Sequence, residues 1–135
     1  MRATGAATIA MMMVLSACTP AEAVRDAPAN AGVVQSFDAP YDRVAAATLD
    51  ALNRLNLPIT DLEGKPTGLI IQLAKPQTAF SWGEVGRVIV EHRATPPIPV
   101  RVYWEKRSQM QITGTSQRAF ATQFYGEIDR QLGRR

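Results

Sequence analysis

Two segments with apolar residues at three- and four-residue spacing bracket a stretch in which apolar and polar residues alternate. This order constrains the fold more than any other feature of the chain. The first segment carries Val44, Ala47, Thr48, Ala51, Leu52 and Leu55, and the second Phe120, Phe124, Ile128 and Leu132. Such spacing puts each set on one side of a helix. Asp38-Ala39-Pro40 precedes the first set. Proline suits a first helical turn, where its missing N–H is not needed. Asn56 can end this helix and Pro58 forbids its continuation. The second helix is expected over 116–132, with Gly133 as a natural stop.

Between the helices the pattern has a period of two. Leu69, Ile71 and Leu73 share one face, as do Val88, Val90 and His92, and then Val100, Val102 and Trp104. Residues 33–37 and 59–62 read as further short strands, and 63–68 as a turn. Met110 and Ile112 keep the parity of Trp104 beyond the polar residues 105–108, as the return of a hairpin or the continuation of one long strand. The expected class is α+β: an antiparallel sheet of four to five strands with two helices packed on one face, in a βαββββα-like order. A length of 135 residues, with 46% hydrophobic and 20% charged, fits one globular domain, placed at 32–135.

The N-terminus reads MRATGAATIAMMMVLSACTP. A basic residue, an apolar run over 6–15 and small residues at Ser16 and Ala17 follow the order of an export signal. A run of about ten residues is too short for a spanning helix, which needs roughly 20. Leu15-Ser16-Ala17-Cys18 resembles the lipobox of bacterial lipoproteins. The resemblance implies cleavage between Ala17 and Cys18 and a diacylglyceryl group on the Cys18 thiol. The mature chain would then be lipid-anchored in a bacterial cell envelope. Thr19, where enteric inner-membrane lipoproteins carry Asp, implies the outer membrane, with the domain facing the periplasm. The competing reading is an ordinary signal cut after Ala23, where Ala21-Glu22-Ala23 fits a small-x-small site. With one cysteine in the chain, no intramolecular disulfide forms. Residues 18–31, broken by Pro20 and Pro28, read as a lipidated cysteine and a flexible tether, with a short helix over 21–27 as the alternative.

Residues 37–72 also resemble small envelope lipoproteins, in F-D-A-P-Y-D-R-V-A, L-N-R-L-N-L-P-I and the strand start Gly68-Leu69-Ile70. They further resemble the helix-grip domains of the BamC lipoprotein, an accessory of the outer-membrane β-barrel assembly machinery. The resemblance implies a helix-grip-like interaction module with no known reaction.

No residue pattern points to catalysis, a metal or a cofactor. The single histidine, His92, sits in a strand pattern, and nothing gives a serine a nucleophile-elbow context. No Cys/His cluster has ligand spacing, and Gly83-x-x-Gly86 is too sparse for a phosphate loop. Asp61 and Glu63 alternate and can share a strand face, without a visible cleft. The expectation is a non-catalytic binding or assembly module. Its candidate surface is the loop 74–86 with the anchor-type residues Phe80 and Trp82; alternatively, both rings close the edge of the core. Residues 87–135 hold nine basic and four acidic groups, a net of +5, ending in Arg130, Arg134 and Arg135. This half suits an anionic envelope surface or an acidic envelope protein, or it is a solvated face whose last arginines serve the helix dipole. The competing functions are an enzyme acting on envelope polymers and a binder of lipid or a small apolar ligand. An exported protein meets little nucleic acid, so none is expected as a partner.

Overall fold

The computed structural model describes residues 20–76, 83–106 and 115–133. In chain order the elements are α1 (Pro20–Asp26), β1 (Val33–Phe37), α2 (Tyr41–Arg54), β2 (Ile59–Lys65), β3 (Gly68–Lys75), β4 (Glu84–Glu91), β5 (Ile98–Lys106) and α3 (Gln117–Gly133). The strands form one sheet in the order β1-β5-β4-β3-β2, with every neighbouring pair antiparallel. β1 and β2 are therefore opposite edges, and α2, which joins them, has to cross the sheet. The fold class is the expected α+β, with α2 and α3 packed on one face of a five-stranded antiparallel sheet.

On that first face the helical stripe and the strand alternation meet. Val44, Ala47, Ala51 and Leu52 of α2, and Phe124 and Ile128 of α3, are buried. They belong to one core with Ile71, Val88, Val90, Val100 and Val102. Thr48 is also buried within the α2 stripe, and its hydroxyl donates to the Val44 carbonyl at 2.8 Å, so no polar group is stranded. Trp104 stacks on Phe120 with ring centroids 4.0 Å apart. The cross-strand neighbour of Trp104 is Gly86. A Cβ at Gly86 would lie 2.4 Å from the indole, so the ring occupies the space a side chain would need. The Tyr125 hydroxyl lies 2.6 Å from the Val33 carbonyl and 2.7 Å from that of Val100, tying α3 to the β1–β5 seam. Burial pushes this phenol well above its ordinary range, because the anion would have to be desolvated.

Three sequence expectations are corrected. The turn expected over 63–68 shrinks to Pro66-Thr67, because β2 runs on to Lys65 and pairs it with Gly68. Both ends of the loop expected over 74–86 are strand, since Lys75 and Glu84 pair as the ends of β3 and β4; residues 77–82 lie outside the described residues. In the described part of the expected tether the structure has the short helix given as the alternative to flexible coil. Residues 20–26 are helical, and Val24 is 1% exposed. Strand alternation puts Arg87 on the face opposite Val88, and there its side chain holds the C-terminal end of α1. One guanidinium nitrogen donates to the Ala27 carbonyl at 2.7 Å and to that of Arg25 at 3.3 Å; the other donates to Pro28 at 2.8 Å. Helix ends leave carbonyls unsatisfied, and here a buried arginine supplies the donors. Ala, Glu and Arg favour helix, and this docking stabilises a segment too short to persist alone.

Candidate functional site

Beyond α1, the second face of the sheet is open among the described residues. In the register, Val34, Arg101, Ile89, Ile70 and Glu63 form one row across all five strands. A cleft of about 470 Å³ opens over this region, lined by Ile70, Ile89, Pro99, Glu91, Arg101 and Asn30 among others. An apolar lining with a few polar groups is the usual character of a binding cleft. Arg101 is held at its border by donating to the Asn30 carbonyl at 3.0 Å. Nearer α1 on the same face, the Tyr103 hydroxyl donates to Glu105. That bond is the main reason the phenol is pushed up to about 12; partial burial and the carboxylate's charge add to it.

A second, smaller recess lies at the other end of the strands on the first face. It measures about 130 Å³ and is lined by Lys75, Glu84, Trp104, Thr115, Phe120 and Leu57 among others. Glu84 is 1% exposed. One carboxylate oxygen accepts the Thr115 N–H at 2.6 Å, fixing the approach to α3. Among the described residues the other, Oε2, has no hydrogen-bond partner; the Lys75 ammonium stands 3.6 Å away, close enough for an ion pair and too far for a hydrogen bond. The Trp104 indole N–H is likewise buried without an acceptor among the described residues.

Among the sequence-derived candidates, Cys18, Phe80, Trp82, Arg134 and Arg135 lie outside the described residues, as do Met110 and Ile112. Trp82 is two residues along the chain from Glu84. Arg130 is exposed and pairs with Glu127 at 2.9 Å. Glu127 is itself nearly buried, accepts from Gln131 at 2.7 Å and faces Arg54 at 3.9 Å. Arg130 thus belongs to an ionic seam between α2 and α3 as well as to the C-terminal basic group. His92 follows β4 and is exposed, with its ring edge-on to Tyr41 at 4.5 Å between centroids. Asp61 and Glu63 do share the second face, by their register with Gln72 and Ile70. Both are exposed: Asp61 accepts from the Leu62 N–H and Glu63 pairs with Lys65. Among the described residues, no three of His, Cys, Asp and Glu gather as metal ligands.

The residues that sequence reasoning missed are Arg101, Ile89 and Glu84. Strand parity marks the first two as second-face residues. Nothing local marks Glu84, whose neighbours Lys75, Trp104 and Thr115 are far away in sequence. A scan against protein-family models matches none, and a search of curated proteins finds no relative. The lipoprotein resemblance therefore rests on the residues themselves.

Proposed function

We propose that this chain is a lipid-anchored protein of the bacterial envelope that works as a non-catalytic binding module, holding an extended apolar segment of an envelope protein in the second-face cleft. The observation that carries the reading is the cleft of about 470 Å³, with Ile70, Ile89 and Pro99 beside Arg101 and Glu91. The anchor fits this placement. Cys18 precedes the first residue of α1 by two positions, a reach of about 7 Å of extended chain. With α1 docked, the acyl chains would hold the domain close against the membrane and present the second face near its surface. The βαββββα order of the sheet and its two large helices supports a helix-grip-like module. The absence of Asp after Cys18 favours the outer membrane.

In-cell photo-crosslinking tests this reading. A photoreactive residue at position 89, within the cleft, should give a discrete adduct with an envelope protein. The same residue at Asn53, exposed on α2, should not. Cys18→Ser should abolish incorporation of labelled palmitate and sharply lower the adduct yield. Equal labelling from positions 89 and 53, or palmitate retained by Cys18→Ser, would overturn it.

A further inference from the structure

We infer that the recess at Glu84 is a binding site for a primary alkylammonium group, carried by a free amine or by a lysine side chain. It lies on the first face, apart from the cleft, and does not depend on the reading given to that cleft.

The chemistry follows from what Glu84 lacks. A buried carboxylate is costly unless its oxygens meet donors. Oε1 is met by the Thr115 N–H, whereas Oε2 meets no donor among the described residues. The nearby Lys75 side chain is half exposed and stops at 3.6 Å, so solvent competes for its ammonium and the contact is weak. An incoming ammonium has three donors on one small head and can give Oε2 the short, charge-assisted bond it lacks. The walls suit the rest of such a ligand. Leu55 and Leu57 provide apolar surface for a methylene stem, and Trp104 and Phe120 form an aromatic wall. The volume of about 130 Å³ is on the scale of a few methylenes and an ammonium head. A hard metal ion wants about six oxygen ligands, whereas Glu84 is the one carboxylate in this lining and the Lys75 ammonium stands beside it. An anion would face the Glu84 charge.

The test uses the full chain in detergent micelles, with amide and indole N–H resonances followed during titration with n-butylammonium chloride. Sodium butyrate, which has a similar stem and the opposite charge, is the control. Saturable shifts are expected at the Trp104 indole N–H and the Thr115 amide, with affinity on the order of millimolar for so small a ligand. Butyrate should leave both unmoved. Glu84→Gln keeps an acceptor for Thr115 and removes the charge, so affinity should fall by roughly tenfold or more. Lys75→Met removes the competing ammonium and should tighten binding several-fold; it guards the test if Glu84→Gln fails to fold. A parallel titration with Nα-acetyl-lysine methylamide separates the two sources. Shifts matching those of butylammonium assign the site to lysine side chains, and shifts with butylammonium alone assign it to free amines. No saturable shift at Trp104, an equal response to butyrate, or unchanged affinity in Lys75→Met would each overturn the inference.

Discussion

The two faces of the sheet are built from alternate residues of the same strands, yet they hold their helices by different physics. The first face is closed by two long helices, through side chains such as Leu52, Phe124 and Ile128 that are fully buried. The second is closed over part of its area by the seven residues of α1, through the buried Val24 side chain and the donors of Arg87. Full burial of a large apolar side chain stabilises by about 1.5–3 kcal/mol. A hydrogen bond that replaces one to water gives a net of about 1 kcal/mol. The first face should therefore behave as the part whose loss unfolds the domain, and α1 as a part that can leave while the rest stays folded.

The sharpest way to break this contrast is to hollow out the first face. Leu52→Ala and Phe124→Ala each remove a side chain at 0% exposure. Each should cost about 2–5 kcal/mol in denaturant unfolding, through lost burial and a residual cavity. Arg87→Met comes next. It leaves the carbonyls of Arg25, Ala27 and Pro28 without these donors, a cost of about 1–3 kcal/mol at most. The expected signature is local: hydrogen exchange accelerates over 20–31 while the amides of β4 and β5 keep their protection. If Arg87→Met lowers global stability as much as Leu52→Ala, the two faces are one cooperative unit and the contrast fails.

The tyrosines sharpen the comparison on a smaller scale. Tyr125→Phe should cost about 1 kcal/mol, the net value of its hydrogen bonding. Its phenol is raised above 10.0 chiefly by burial. The neutral form is thus favoured in the folded state. The stability this gives is fully present below about pH 10 and is lost as pH rises through the higher folded value. Alkaline destabilisation should therefore be shallower in Tyr125→Phe than in the unmodified protein. Tyr103, on the second face, reaches about 12 through Glu105 instead. Glu105→Gln should bring its ultraviolet titration back toward the ordinary phenol range and leave Tyr125 unmoved. Arg54→Ala should show the smallest effect, within about 0.5 kcal/mol, since its contact with Glu127 is 3.9 Å long and its side chain is mostly exposed.

The first face was legible in the sequence because burial on one side imposes a period: 3.6 in α2 and α3, 2 in the strands. The stripes through Leu52 and Phe124 and the parity of Val88, Val90, Val100 and Val102 all meet in one core. The second face left no such trace. Val24 is the one large aliphatic residue among the seven of α1, so α1 has no stripe to read. Arg87 looks like an ordinary polar strand residue, and its partners lie about sixty positions away. Arg43 was similarly obscure. It stands off the α2 stripe, yet its guanidinium donates to the Leu132 carbonyl at 3.1 Å and joins the two helices. The start of β4 was hidden for a different reason. Gly83 and Gly86 resemble loop residues, but Gly86 lies in the strand because it faces the Trp104 ring.

That close fit between Gly86 and Trp104 has an evolutionary consequence. The two positions share one volume across adjacent strands, so neither is free to drift by itself. A lineage that gains a side chain at 86 must first, or at the same time, shrink the ring at 104. The ring at 104 in turn stacks on Phe120, so its loss would expose an aromatic surface on α3 that some new neighbour must cover. Divergence here should proceed by linked replacements across three positions, a correlated trio more durable than any single residue of the exposed second face.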